Sequence, residues 1–121
     1  MRNYQKLDAW KACMQVAKTV YTIAKDFPKE ELYGLSSHIK RAAVSIPVNI
    51  AEGMGRQYKK DTIQFLHIAR GSSYEIETLC NVAVEINILP DQNFKQLLVL
   101  IDDSIKLLNG LINYLEKADL K

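Results

Sequence analysis

Four stripes of apolar residues at alternating three- and four-residue spacing, separated by short stretches that hold most of the Gly and Pro, constrain this 121-residue chain more than any other feature. The first stripe is Trp10, Cys13, Ala17, Val20, Ala24 and Phe27. The second is Leu35, Ile39, Ala42, Ile46, Asn49 and Gly53. The third is Phe65, Ala69, Ser72, Ile76, Leu79, Ala83 and Ile86, and the fourth is Phe94, Leu98, Ile101, Ile105, Leu108, Ile112 and Leu115. This spacing keeps one face of a helix turned toward a partner helix. No strand-type alternation competes with it.

Local signals place helices at about 8–27, 36–54, 61–89 and 91–118. Asp8 reads as the first N-cap, Pro28 as the first stop, and Asp61 with Gln64 as a capping box opening the third helix. Gly53 and Gly55 read as glycines that end the second helix. Short connections make sequential helices antiparallel, so the expected fold is all-α, an up-down-up-down four-helix bundle forming a single domain over 1–121. At 1.5 Å per residue the last two helices reach about 40 Å and overhang the first two. With 48% hydrophobic residues the chain has enough apolar surface for one core.

Composition excludes several function classes. Cys13 and Cys80 are far apart and read as reduced core residues. No run approaches the roughly 18 apolar residues of a membrane span, and the N-terminus has no apolar leader, so the expectation is a cytoplasmic protein. His38 and His67 lack the spacing of a zinc site, so no metal is expected. Ser37-His38-Ile39-Lys40 matches only the bare Ser-x-x-Lys pattern without its companion motifs. Gly53-Met54-Gly55-Arg56 lacks the strand-loop-helix context of a phosphate loop. No cofactor and no enzymatic activity are expected.

The second helix breaks local rules. Pro47 lies in its interior, where it removes one amide bond and predicts a kink. His38, Arg41, Ser45, Asn49, Glu52 and Arg56 recur at helical spacing and form a polar ribbon. Ser72 and Glu75 on the third helix fall near the same level. The bland reading is a hydrogen-bonded network of Arg41, Ser45, Asn49, Glu52, Ser72 and Glu75 that fixes the register of two helices. The sharper alternative is a small catalytic pocket.

Charge is uneven. Residues 1–60 hold 11 Lys/Arg against 5 Asp/Glu, and residues 61–121 hold 5 against 9. Lys40, Arg41, Arg56, Lys59 and Lys60 fall close together in sequence with only Glu52 opposing them, and Arg70 follows. Assigning Arg41 to the network leaves Lys40, Arg56, Lys59, Lys60 and Arg70 as candidate phosphate contacts for RNA or DNA, with Tyr58 and Tyr74 as stacking surfaces. The competing reading is a solvated helix end. On the fourth helix a second stripe of Leu100, Ser104, Leu107, Leu111 and Tyr114 exceeds what one core needs. Leu100, Leu107, Leu111 and Tyr114 are therefore the candidate contact between copies.

These residues resemble a known family, the bacterial four-helix bundle proteins related to those encoded in 23S rRNA intervening sequences. The accessory variability determinant of diversity-generating retroelements belongs to the same group. The resemblance is carried by Trp10, by Phe27 to Leu35, by Ile39 to Arg56 and by Ile68 to Ser72 with Glu75. Its most specific part is Ser45-Ile46-Pro47-Val48-Asn49-Ile50-Ala51-Glu52-Gly53. It implies a non-enzymatic homopentamer, ring-like in assembly, with a basic surface. The retroelement members bind nucleic acid and their reverse transcriptase, while many other members have no assigned role. The expectation carried over is nucleic-acid binding, RNA foremost, with a possible partner such as a reverse transcriptase. The alternative reading is a protein–protein scaffold or adaptor with no nucleic-acid role.

Overall fold

In the computed structural model, which describes residues 1–118, four helices carry the fold: α1 (Asp8–Ala24), α2 (Leu35–Met54), α3 (Lys59–Glu85) and α4 (Asp91–Ala118). Short 3-10 turns at Asn3–Lys6 and Lys29–Glu31 precede α1 and α2. Each helix packs on its sequence neighbours and α1 closes on α4, while among the described residues the backbones of α1 and α3, and of α2 and α4, face each other across the core without close approach. The section is thus a square of four helices around one core. No strand occurs among the described residues.

Helix ends differ from the local signals. Leu7, in extended conformation, is the N-cap of α1, and Asp8 is already in its first turn without a side-chain capping bond. α1 ends at Ala24, because Asp26 and Phe27 turn their amides to the carbonyls of Ile23 and Ala24 and bring Phe27 into the core. The Asp61–Gln64 capping box does not form. Tyr58 is the N-cap of α3, which places Asp61 inside the first turn, where its charge favours the helix N-terminus.

α3 stops at Glu85 rather than Leu89. Asn87 adopts φ 63°, Ile88 donates its amide to the Ala83 carbonyl at 2.8 Å, and Asn87 donates to Val84 at 3.0 Å. This is a Schellman ending with Asn in the left-handed position. Such a stop escapes a search for Gly or Pro.

The core face of each helix is wider than a two-position seam. Val16, Leu66, Cys80 and Leu97 are fully buried although none falls on the expected stripes. Conversely Ile86 is 52% exposed. A bundle helix buries a third position per heptad, and that position carries these residues. Among the described residues every buried polar side-chain atom has a partner. Buried Ser73 and Ser104 donate back to the carbonyls of Ala69 (3.3 Å) and Ile101 (2.7 Å). Ser104 of α4 also lies beside the Cys13 thiol of α1.

α2 runs without interruption through Pro47, which is buried. Gly53 lies inside α2, also buried, and it does not terminate the helix; Gly55 caps it with φ −87°. α3 and α4, of 27 and 28 residues, exceed α1 and α2, of 17 and 20, and so extend past them.

Candidate nucleic-acid interface

The polar ribbon of α2 divides into two small groups. Ser45 Oγ meets Ser72 Oγ at 2.7 Å, and Asn49 Nδ2 donates to the Ser45 carbonyl at 2.7 Å and to Ser45 Oγ at 3.1 Å. Two turns nearer the start of α2, His38 Nε2 and Glu75 Oε2 lie 2.7 Å apart in a half-exposed pair. Arg41 and Glu52 join neither group. Both point to solvent and make no hydrogen bond or ion pair among the described residues, so the expected six-residue network loses them. Their long side chains gain more from hydration than from burial between α2 and α3. His38, a ribbon residue outside the expected network, is exposed and pairs with Glu75.

The five candidate phosphate contacts do not form one patch. Arg70 is half-buried between α3 and α4, where its Nη1 donates to Asn109 Oδ1 at 2.7 Å and its Nη2 to His67 Nδ1 at 2.7 Å. A guanidinium has only donors, so His67 accepts through Nδ1. Arg70 is therefore a clamp between helices and no longer a candidate phosphate contact. Arg56 lies over the Phe65 ring, 4.6 Å from its centroid, and shares the α2–α3 turn with half-buried Lys59 and exposed Lys60. Asp61 lines a depression with Arg56 at this turn, and Glu52 lies in the last turn of α2. Lys40 is sixteen residues away along α2, a separation of about 24 Å.

Around Lys40 a different surface emerges. Tyr4, Trp10, Lys11, Met14, Lys18, Tyr21, Val44, Pro47 and Val48 line a groove of ≈ 680 Å³ between α1 and α2. At Tyr21 and Val44 it joins a second depression of ≈ 450 Å³, lined also by Tyr33, Lys40 and Arg41. The two hold four cations, Lys11, Lys18, Lys40 and Arg41, and no carboxylate. Lys40 Nζ sits 5.3 Å from the Tyr21 ring centroid, and Tyr4 and Trp10 meet edge-on at 5.6 Å. Charge counted along the sequence overlooks Lys11 and Lys18. Their seven-residue spacing, shared with Lys25, places them on one face of α1 and was the available signal.

The candidate contact between copies is partly core. Ser104 is buried, Leu100 and Leu111 are half-buried, and Leu107 and Tyr114 are 37% and 70% exposed. Leu100 and Leu107 line a smaller groove against Ala12 and Gln15 of α1. Burial pushes the thiols of Cys13 and Cys80 up to about 12, a value that leaves both protonated and unreactive at neutral pH. Among the described residues no three His, Cys, Asp or Glu side chains gather as metal ligands, and no helix is long and apolar enough to cross a membrane.

None of the curated proteins compared matches this sequence. A solved structure similar to this one is a protein of unknown function from the S23 ribosomal protein family of Bacteroides thetaiotaomicron, determined at 1.70 Å resolution. Its TM-score is 0.79 at 21% identity, with 86% of this chain and 97% of that one covered, a likeness that shows the shared fold. Residues 5–110 match the sequence pattern of the 23S rRNA-intervening sequence proteins, and with nearly the whole bundle inside that match the chain belongs to this family.

Proposed function

We propose that the protein is a non-enzymatic, homo-oligomeric four-helix bundle, a pentamer acting in the cytoplasm, that binds nucleic acid, RNA foremost, through phosphate contacts on its α1–α2 face. The observation that carries this reading is the joined groove lined by Lys11, Lys18, Lys40 and Arg41 with no acid among its lining residues. Clustered cations of this kind neutralise phosphates and release counterions, which makes binding steeply salt-dependent. The net charge of +2 per chain is modest, and repeating the face around an assembly supplies avidity that one copy lacks. Exposed Leu107 and Tyr114, seven residues apart on α4, support a contact between copies.

Fluorescence anisotropy of a labelled RNA across a salt series tests the reading. Wild type binds at low salt with a log–log slope of about −2 to −3, the value for three or four phosphates on a single strand. The charge reversal Lys18→Glu/Lys40→Glu/Arg41→Glu abolishes binding, and Arg56→Glu/Lys60→Glu has the smaller effect. Equal binding by wild type and the triple variant overturns the proposal. A protein–protein scaffold is the second reading, favoured by exposed Val82, Ile86 and Val99 on α3, its end and α4. Capture of a partner that resists both nuclease and salt supports it.

A further inference from the structure

Resting on the nucleic-acid reading above, we infer that the α1–α2 groove takes a single strand with its bases turned inward onto Tyr21 and Tyr33, and that it discriminates against duplex. The floor of the groove is apolar and open: Met14, Tyr21, Val44 and Val48 are 43%, 43%, 39% and 49% exposed. Along the same depressions Lys11, Lys18 and Arg41 are exposed and Lys40 is half-buried. A duplex keeps its base faces stacked on each other and offers only phosphates, sugars and the polar base edges of its grooves, which would press polar oxygens onto this apolar floor at a desolvation cost. A single strand places its phosphates on these cations and its bases on the floor, so both halves of the surface are satisfied.

The aromatic content is concentrated to match. Of the chain's ten aromatic residues, Tyr4, Trp10, Tyr21 and Tyr33 line this one face. Tyr33 is 93% exposed and holds no packing role, and Tyr21 belongs to both depressions, at the point where they join. Lys40, with its ammonium over the Tyr21 ring, sets a phosphate partner within one nucleotide's reach of a stacking platform. Tyr58 and Tyr74, the rings first suggested by sequence proximity to the basic run, line neither depression. Self-pairing of this face across a two-fold axis would oppose four cations with four cations, which disfavours a second copy as occupant.

The test measures binding of a short labelled single-stranded RNA and of the duplex made from it, at low salt, to wild type, Tyr21→Leu/Tyr33→Ala, Tyr21→Phe and Lys18→Glu/Lys40→Glu. Leu preserves the apolar contact of Tyr21 without its ring, and Tyr33 lies on an exposed turn, so both changes keep the fold; circular dichroism verifies this. The expected result is single-strand binding about tenfold tighter than duplex, about tenfold weaker single-strand binding by Tyr21→Leu/Tyr33→Ala with its salt slope unchanged, and retention by Tyr21→Phe. Duplex binding equal to single-strand binding overturns the inference. So does full retention by Tyr21→Leu/Tyr33→Ala when charge reversal abolishes binding, an outcome that leaves the basic-face reading standing. Binding that ignores the charge reversal overturns both. A changed sedimentation coefficient for Tyr21→Leu/Tyr33→Ala identifies the face as a contact between copies and also overturns the inference.

Discussion

The hydroxyl of Thr62 donates to the carbonyl of Gly53 at 2.7 Å, and this bond ties the last turn of α2 to the first turn of α3. The approach is close because position 53 has no side chain. A Cβ there would lie 2.8 Å from Phe65 Cβ and 3.1 Å from the Thr62 carbonyl oxygen. Neither neighbour can yield without moving α3. Gly53→Ala therefore destabilises by about 1–3 kcal/mol through overpacking. Thr62→Val removes the buried bond at nearly constant volume and lowers stability by about 1–2 kcal/mol. Urea unfolding of the two variants measures both; a neutral Gly53→Ala would show that the helices can part freely.

Asn49 is placed as a donor, and its chemistry is more specific than its polarity. Its amide reaches the Ser45 carbonyl and hydroxyl, and that hydroxyl meets Ser72 across the α2–α3 contact. Asn49→Asp replaces the donor by a carboxylate facing acceptor oxygens, so a loss of about 2 kcal/mol is expected at neutral pH, recovered in part as the carboxylate is protonated. Ser72→Ala costs about 1 kcal/mol. Thermal unfolding of each at neutral and acidic pH gives the comparison.

Arg70 separates stability from binding. With its guanidinium held by Asn109 and His67, Arg70→Ala leaves two half-buried acceptors without their donor and lowers stability by about 1 kcal/mol. RNA affinity at a temperature where the variant is folded stays at the wild-type value. Loss of affinity without loss of stability would return Arg70 to the phosphate-binding set.

The two buried thiols make stability fall at high pH. Cys13 and Cys80 are raised from the ordinary value of 9.0 to about 12, chiefly by burial, with Glu77 adding to the effect at Cys80. The folded state keeps its thiol protons where the unfolded chain has lost them. Stability from this source is thus intact below pH 9.0 and is lost as pH rises toward about 12, by about 1.4 kcal/mol per pH unit for each thiol. Urea titrations above pH 9.0 on wild type and on Cys13→Ala/Cys80→Ala test it: the variant loses that part of the slope.

Helix number, order and pairing were legible because they depend on the repeat of apolar residues, which tolerates small errors of phase. Helix ends were less so. The Asn87 stop depends on a backbone dihedral that Asn adopts only when its neighbours complete the Schellman bonds, and Tyr58 is an N-cap without a capping side chain. The candidate site suffered from counting charge along the chain. Arg56, Lys59 and Lys60 are adjacent in sequence yet share their turn with carboxylates. Lys11 and Lys18 come together with Lys40 only after α1 and α2 have packed. The pairing of Arg70 is hidden from the sequence for the same reason, since its acceptors lie on another helix and one turn away on its own.

The square arrangement of helices sets an order for assembly. Three of its four interfaces join helices adjacent in sequence, whereas the α1–α4 interface must bring together opposite ends of the chain, so its closure carries the largest loss of chain entropy and comes last. Cys13 marks that seam, fully buried on α1 beside Ser104 of α4. A thiol reagent reaches it only when α1 lifts away. The alkylation rate of Cys13 in a Cys80→Ala background is thus a clock for the opening of the bundle, read from a native atom without an added probe.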